Sequence, residues 1–275
     1  MDFCRNRKSL WFERIHSSDI VLMFLYAGGD SFTYGVELFE DPVTQLCNDN
    51  EARLRCAWPG NLANRLGFDG HKNDGMGGSS NDRIFRRCVA FVTKWLAEGK
   101  SPDDLFVVIG WSSPERTEFR FSGEDGTYED THFEYIQFYR NVENSIRFPG
   151  YSDGVKDYLR LYNKCFNGEV EARTRFANQV ISLQSILKVN KIRYMFFNAA
   201  WIVKPETGDE KALFKMIDPV NFYKFRGYDY NETMFGWIRH VEKLPLGPRL
   251  HPDAEGHDRW AERIAAYIKL NCIFG

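Results

Sequence analysis

Three things are missing from this 275-residue sequence, and each absence removes a class of protein. There is no Cys-x-x-Cys pair. Six cysteines (Cys4, Cys47, Cys56, Cys88, Cys165 and Cys272) are scattered along the chain, without the close spacing of a zinc site or a dithiol redox centre. Free thiols in a reducing compartment are the expectation. There is no basic excess: 36 Lys and Arg stand against 38 Asp and Glu, a formal net charge of −2. The positive face that non-specific nucleic-acid binding requires is therefore lacking. There is also no long apolar run. Ile20 to Ala27 is far too short to cross a bilayer, and "MDFCRNRKSLWFERIHSSD" before it has no signal-peptide apolar segment. The chain is expected to be cytoplasmic, with neither a membrane nor a nucleic acid as partner.

What is present is an alternation of buried strands and amphipathic helices. Ile20 to Ala27, "LFVVIGW" (105–111) and "IRYMFFNAAW" (192–201) are continuous apolar stretches, the pattern of strands covered on both faces of a parallel sheet. Between them, "WPGNLANRLG" spaces Trp58, Leu62 and Leu66 four apart and puts Gly67 where a helix would end. Ile84, Cys88, Phe91, Trp95 and Leu96 form a helical stripe after polar caps, as do Phe176, Val180, Leu183 and Leu187. Trp260, Ile264 and Ile268 mark a last helix. The expected fold class is α/β, a parallel sheet with helices on both sides joined by right-handed crossovers, in one domain over 1–275. The interval from about 117 to 167 breaks the rhythm: it is dense in Phe and Tyr and poor in aliphatics, and is expected to be an inserted cap.

In parallel α/β sheets functional groups gather beyond the carboxyl ends of the strands. Ser31 in "AGGDSFTYG", Trp111 and Trp201 all fall there. A serine hydroxyl needs a base and an oxyanion site before it is a nucleophile. Three stretches supply candidates. The strand running into "GDSFTYG", then "NDGMGGSSNDRI" (73–84), then "LHPDAEGH" (250–257) resemble, in order, the first, second and last blocks of the SGNH, or GDSL-type, hydrolases. The resemblance covers nearly the whole chain apart from its N-terminal extension and the cap.

That resemblance implies a three-layer α/β/α sandwich with a flavodoxin-like sheet, and a serine esterase needing no metal or cofactor. It implies Ser31 as nucleophile, His251 as base, and the N–H groups of Ser31 and Gly78, helped by Ser112, as the oxyanion site. Two positions depart from the pattern. After "LFVVIG" the sequence reads "GWSS", so Ser112 stands where the family has an oxyanion asparagine; "IGWSSPERTEF" resembles the form found in SGNH proteins of tailed phages, which implies a phage-encoded origin. The family also places an aspartate three residues before its histidine, where this chain has Pro248. A Ser-His dyad, or a substitute acid from Asp253, Glu255 or Asp258, is then required, and His257 competes with His251 as base.

The plainer readings are these. Asp30 is expected to be structural. "GMGG" lacks the preceding strand and the third glycine of a dinucleotide loop. The two histidines of "HPDAEGH" are too badly spaced across a proline to ligate a metal together. Glu115 and Glu118 suit a solvated turn better than a glycosidase pair. Trp111 and Trp201 are expected to be substrate platforms. The substrate expected is a small-molecule or carbohydrate ester, an O-acetylated carbohydrate ahead of a long-chain lipid. The competing expectation is a binding or structural module that kept the fold and lost the chemistry.

Overall fold

A computed structural model describes residues 23–41, 44, 46–118, 135–136, 153–166, 168–271 and 273. Its strands are β1 (Phe24–Gly28), β2 (Gly70–Asn73), β3 (Leu105–Trp111), β4 (Thr117–Glu118), β5 (Tyr135–Ile136) and β6 (Arg193–Asn198). Four of them form a parallel sheet in the order β2-β1-β3-β6. Phe24 pairs with Gly70, Gly28 with Ile109, and Trp111 with Asn198. A parallel bridge from Phe196 to Phe222 extends the far edge.

The apolar runs became strands because β1 and β3 are central, and β3 is buried along its whole length. β2 is a strand that "FDGHKNDGMG" does not announce. It lies on the edge with all four residues only partly buried, so no apolar signal is required of it, and Lys72 keeps its amine 5.2 Å from the Phe91 ring.

The helices are α1 (Ser31–Tyr34), α2 (Asn50–Cys56), α3 (Trp58–Leu66), α4 (Asn81–Ala97), α5 (Asp153–Cys165), α6 (Glu169–Val189), α7 (Gly208–Lys215) and α8 (Ala254–Leu270). Gly67 ends α3 in the left-handed region at φ 72°. Ser80 caps α4 through its hydroxyl, which accepts the Arg83 N–H.

Alternation along the strands assigns the two faces. Leu25, Phe106, Val108, Met195 and Phe197 pack with Trp58 and Leu62 of α3 and Trp260 and Ile264 of α8. Tyr26, Val107, Ile109 and Phe196 pack with Ile84, Cys88 and Val92 of α4 and Phe176, Val180 and Leu183 of α6. Each such large side chain contributes about 1.5–3 kcal/mol by leaving water, and together they hold the carboxyl ends of β1, β3 and β6 in register. Of the stretch expected to be a cap, residues 119–134 and 137–152 lie outside the described residues. β4 pairs antiparallel with β5, and α5 follows.

Candidate active site at the carboxyl end of the sheet

β1 stops at Gly28, and after two intervening residues α1 begins at Ser31. Asp30 is its N-cap: the carboxylate Oδ1 accepts the Phe32 N–H at 3.1 Å, satisfying a donor that the first turn leaves open. Asp30 is fully buried, and Ser31 is 8% exposed. The loop after β2 lies against this turn. Asn73 donates its side-chain amide to Thr33 O at 2.8 Å, and Met76 N–H reaches Gly29 O at 3.3 Å. A Cβ on Gly75 would overlap the Tyr34 backbone nitrogen, so only glycine permits the approach. Gly78, further along the loop, has φ 74°.

The histidine comes from the other end of the sequence. The segment before α8 folds back on itself, with Leu246 bridged to Pro252 and Gly247 N–H donating to His251 O at 2.8 Å. His251 Nδ1 then faces Glu37 Oε2 at 3.1 Å. The same carboxylate accepts the backbone N–H of His251 at 3.0 Å and of Arg249 at 2.9 Å, and the Arg249 guanidinium pairs with Glu40. Glu37 is three residues beyond α1, so the stretch that carries Ser31 also holds the ring. Phe32 closes the group, its ring centroid 5.2 Å from that of His251 and 5.9 Å from that of Phe235.

Partial burial pushes the Glu37 carboxyl up, yet the two backbone N–H groups and the imidazole outweigh it and hold its pKa below the usual carboxylate value. Burial drives His251 down; Glu37, and less strongly Asp30, pull it part of the way back, leaving it below an ordinary histidine. The ring is thus neutral near pH 7, with Nδ1 against a carboxylate and Nε2 left to take a proton.

On the opposite side of Asp30, Oδ2 accepts the Ser112 hydroxyl at 2.7 Å and lies 3.3 Å from Arg116 Nη1. Arg116 also donates to Ser112 Oγ at 2.9 Å, and its guanidinium lies 4.7 Å from the Trp201 ring centroid. The single proton of Ser112 is therefore directed at Asp30. The Asn81 side-chain amide is engaged as well, bridging the backbone of Ser112 and Ser113.

Several expectations change. Trp111 is no platform: it is fully buried between Phe176 and Phe196, with centroids at 5.9 and 5.6 Å. Trp201 is partly exposed at the site. Asp253 caps α8 through Gly256 N–H, Glu255 lies near Arg259, and Asp258 pairs with Arg65 at the surface; Glu37 is the acid on His251 instead. His257 is fully buried with Nδ1 accepting the Trp58 N–H at 3.1 Å, and burial lowers its pKa to about 3. It is a neutral cap for α3. Glu118 is not solvated but clasped by Arg86 at 2.7 and 3.2 Å.

Glu37 and Arg116 are the two site residues that sequence reasoning passed over. Their positions, six after Ser31 and four after Ser112, are the only local signal they give. Among the described residues, no group of three His, Cys, Asp or Glu side chains could hold a metal ion, and no helix is long and apolar enough to cross a membrane.

The fold and site thus define an α/β protein with a parallel sheet, and a serine, a histidine and a carboxylate at its carboxyl end. The chain belongs to the family of unknown function DUF6071, whose model matches residues 37–273. No curated protein matches the sequence. Among solved structures it is similar to TesA, at 13% identity over 90% of this chain and 99% of that one, TM-score 0.45. It is similar to the acetyl xylan esterase AlAXEase at 13% identity, covering 90% and 100%, TM-score 0.42. The family two carbohydrate esterase from Clostridium thermocellum, solved with cellohexaose, gives 13% identity, 95% and 68% coverage, and TM-score 0.43.

Proposed function

We propose that this chain is a serine ester hydrolase of the SGNH type, one domain of three layers, with Ser31 as nucleophile, His251 as base and Glu37 as the acid that orients it. The observation that carries this reading is the Glu37 carboxylate on His251 Nδ1 at 3.1 Å, delivered by the segment that presents Ser31. It answers the absence of an aspartate at position 248.

In the proposed reaction His251 Nε2 takes the Ser31 proton as Oγ attacks the ester carbonyl. The N–H groups of Ser31 and Gly78 receive the developing oxyanion. His251 then returns its proton to the departing alkoxide, and water, activated by the same ring, releases the acyl group. Glu37 stabilises the imidazolium formed in each half-reaction without itself taking the proton. The proposed substrate is the O-acetyl group of a carbohydrate, with Trp201 as the aromatic surface beneath it.

The test is hydrolysis of p-nitrophenyl acetate by the full chain and by Ser31→Ala, together with labelling by a fluorophosphonate. The wild type is expected to turn over and to be labelled once; Ser31→Ala should lose roughly 10,000-fold or more in kcat and take no label. Equal rates for the two proteins would exclude the proposal. One observation favours the alternative, a binding module with lost chemistry: the Ser112 hydroxyl is spent on Asp30, leaving no side-chain donor where the resemblance expects one. Acetylated oligosaccharide bound but not hydrolysed would support that alternative.

A further inference from the structure

We propose that Arg116 is a positioning residue for this chemistry: its guanidinium neutralises the buried Asp30 carboxylate, so that no uncompensated negative charge stands beside the nucleophile when the oxyanion forms. The inference rests on the reading of Ser31 as nucleophile.

Asp30 does more than cap α1. It is wholly buried, immediately precedes Ser31, and spends Oδ1 on the α1 cap. Its other oxygen meets one hydroxyl and one cation, Ser112 Oγ at 2.7 Å and Arg116 Nη1 at 3.3 Å. Ser112 closes a triangle by accepting from Arg116 at 2.9 Å. Ser79 O lies 3.5 Å from the same nitrogen, and the Trp201 face covers the guanidinium, which favours a desolvated cation. The guanidinium is itself about nine-tenths buried, so its charge is little screened.

Without that cation, a buried carboxylate would face only neutral donors one residue from Ser31. The negative charge that moves onto the carbonyl oxygen would be opposed at short range in a poorly screened site. The charged groups facing His251 are Glu37, Asp30 and Arg249, and Asp30 acts to raise the ring's pKa. An unmasked Asp30 would raise it further.

Arg116→Met is expected to lower kcat for p-nitrophenyl acetate by about 30- to 100-fold, to leave KM within about threefold, and to move the acid limb of kcat to higher pH. Arg116→Lys should retain most of kcat. The decisive variant is Asp30→Asn combined with Arg116→Met, since asparagine caps helices as well as aspartate; removing both charges should restore at least tenfold of the loss and return the acid limb. If Arg116→Met fails to fold, Arg116→Gln and its Asp30→Asn double variant take its place. No recovery in the double variant, or an unchanged kcat in the single one, overturns the role of Arg116 while Ser31→Ala remains inactive. Wild-type activity in Ser31→Ala instead overturns the esterase reading itself.

Discussion

Glu37 Oε2 contacts His251 twice, at Nδ1 (3.1 Å) and at the backbone N–H (3.0 Å), although 214 residues separate the two in sequence. One oxygen therefore fixes both the position of the peptide and the tautomer of the ring. An imidazole so held carries its proton on Nδ1 and offers Nε2 as acceptor.

Replacing Glu37 with Gln should lower kcat for p-nitrophenyl acetate by roughly 100- to 10,000-fold. Because the carboxylate raises the ring's pKa against burial, its loss should move His251 further below 6.5 by imidazole NMR. In the wild type, kcat/KM should fall with acid only below the ordinary histidine value. Asp258→Asn, whose partner is surface Arg65, should leave kcat unchanged. A rise in the His251 pKa in Glu37→Gln would refute the pairing.

His257 predicts an acid sensitivity unrelated to catalysis. Its folded pKa, lowered by burial to about 3, lies below the unfolded value near 6.5. The unfolded chain thus binds the proton first, and stability is lost as pH falls from about 6.5 toward 3, by roughly 1–2 kcal/mol per pH unit. His257→Asn, which keeps an acceptor near Trp58 N–H, should flatten that slope in urea unfolding series at pH 7, 6 and 5. A slope identical to the wild type would assign the acid loss to other groups.

The two tryptophans should separate cleanly. Trp111→Ala removes a fully buried ring and should cost about 3–5 kcal/mol of stability, seen as a lower denaturation midpoint. Trp201→Ala, a partly exposed ring, should cost less stability and, under the proposed function, raise KM for acetylated oligosaccharide severalfold. The opposite assignment of effects would restore Trp111 to the cleft.

The central strands and four long helices were legible because burial on both faces demands apolar runs and 3.6-residue stripes. β2 was not, since an edge strand can be as polar as "GHKN". Strand-end position alone mislocates Trp111: it shares strand parity with Val107 and Ile109, and that face lies under α6. Ser31 and His251 stood out through their neighbours in sequence. Glu37 and Arg116 meet partners that only the fold brings near: one reaches across nearly the whole chain, and the other faces an Asp30 sealed from water.

The hairpin-like fold-back at Leu246–Pro252 gives this architecture a timing property. Under the proposed mechanism, a ribosome that has released the sheet and its first helices has made a nucleophile with no base, and an acid with nothing to orient. On that reading hydrolytic competence arrives in one step, when the segment carrying His251, 214 residues after Glu37, closes over it; until then geometry alone holds the site idle.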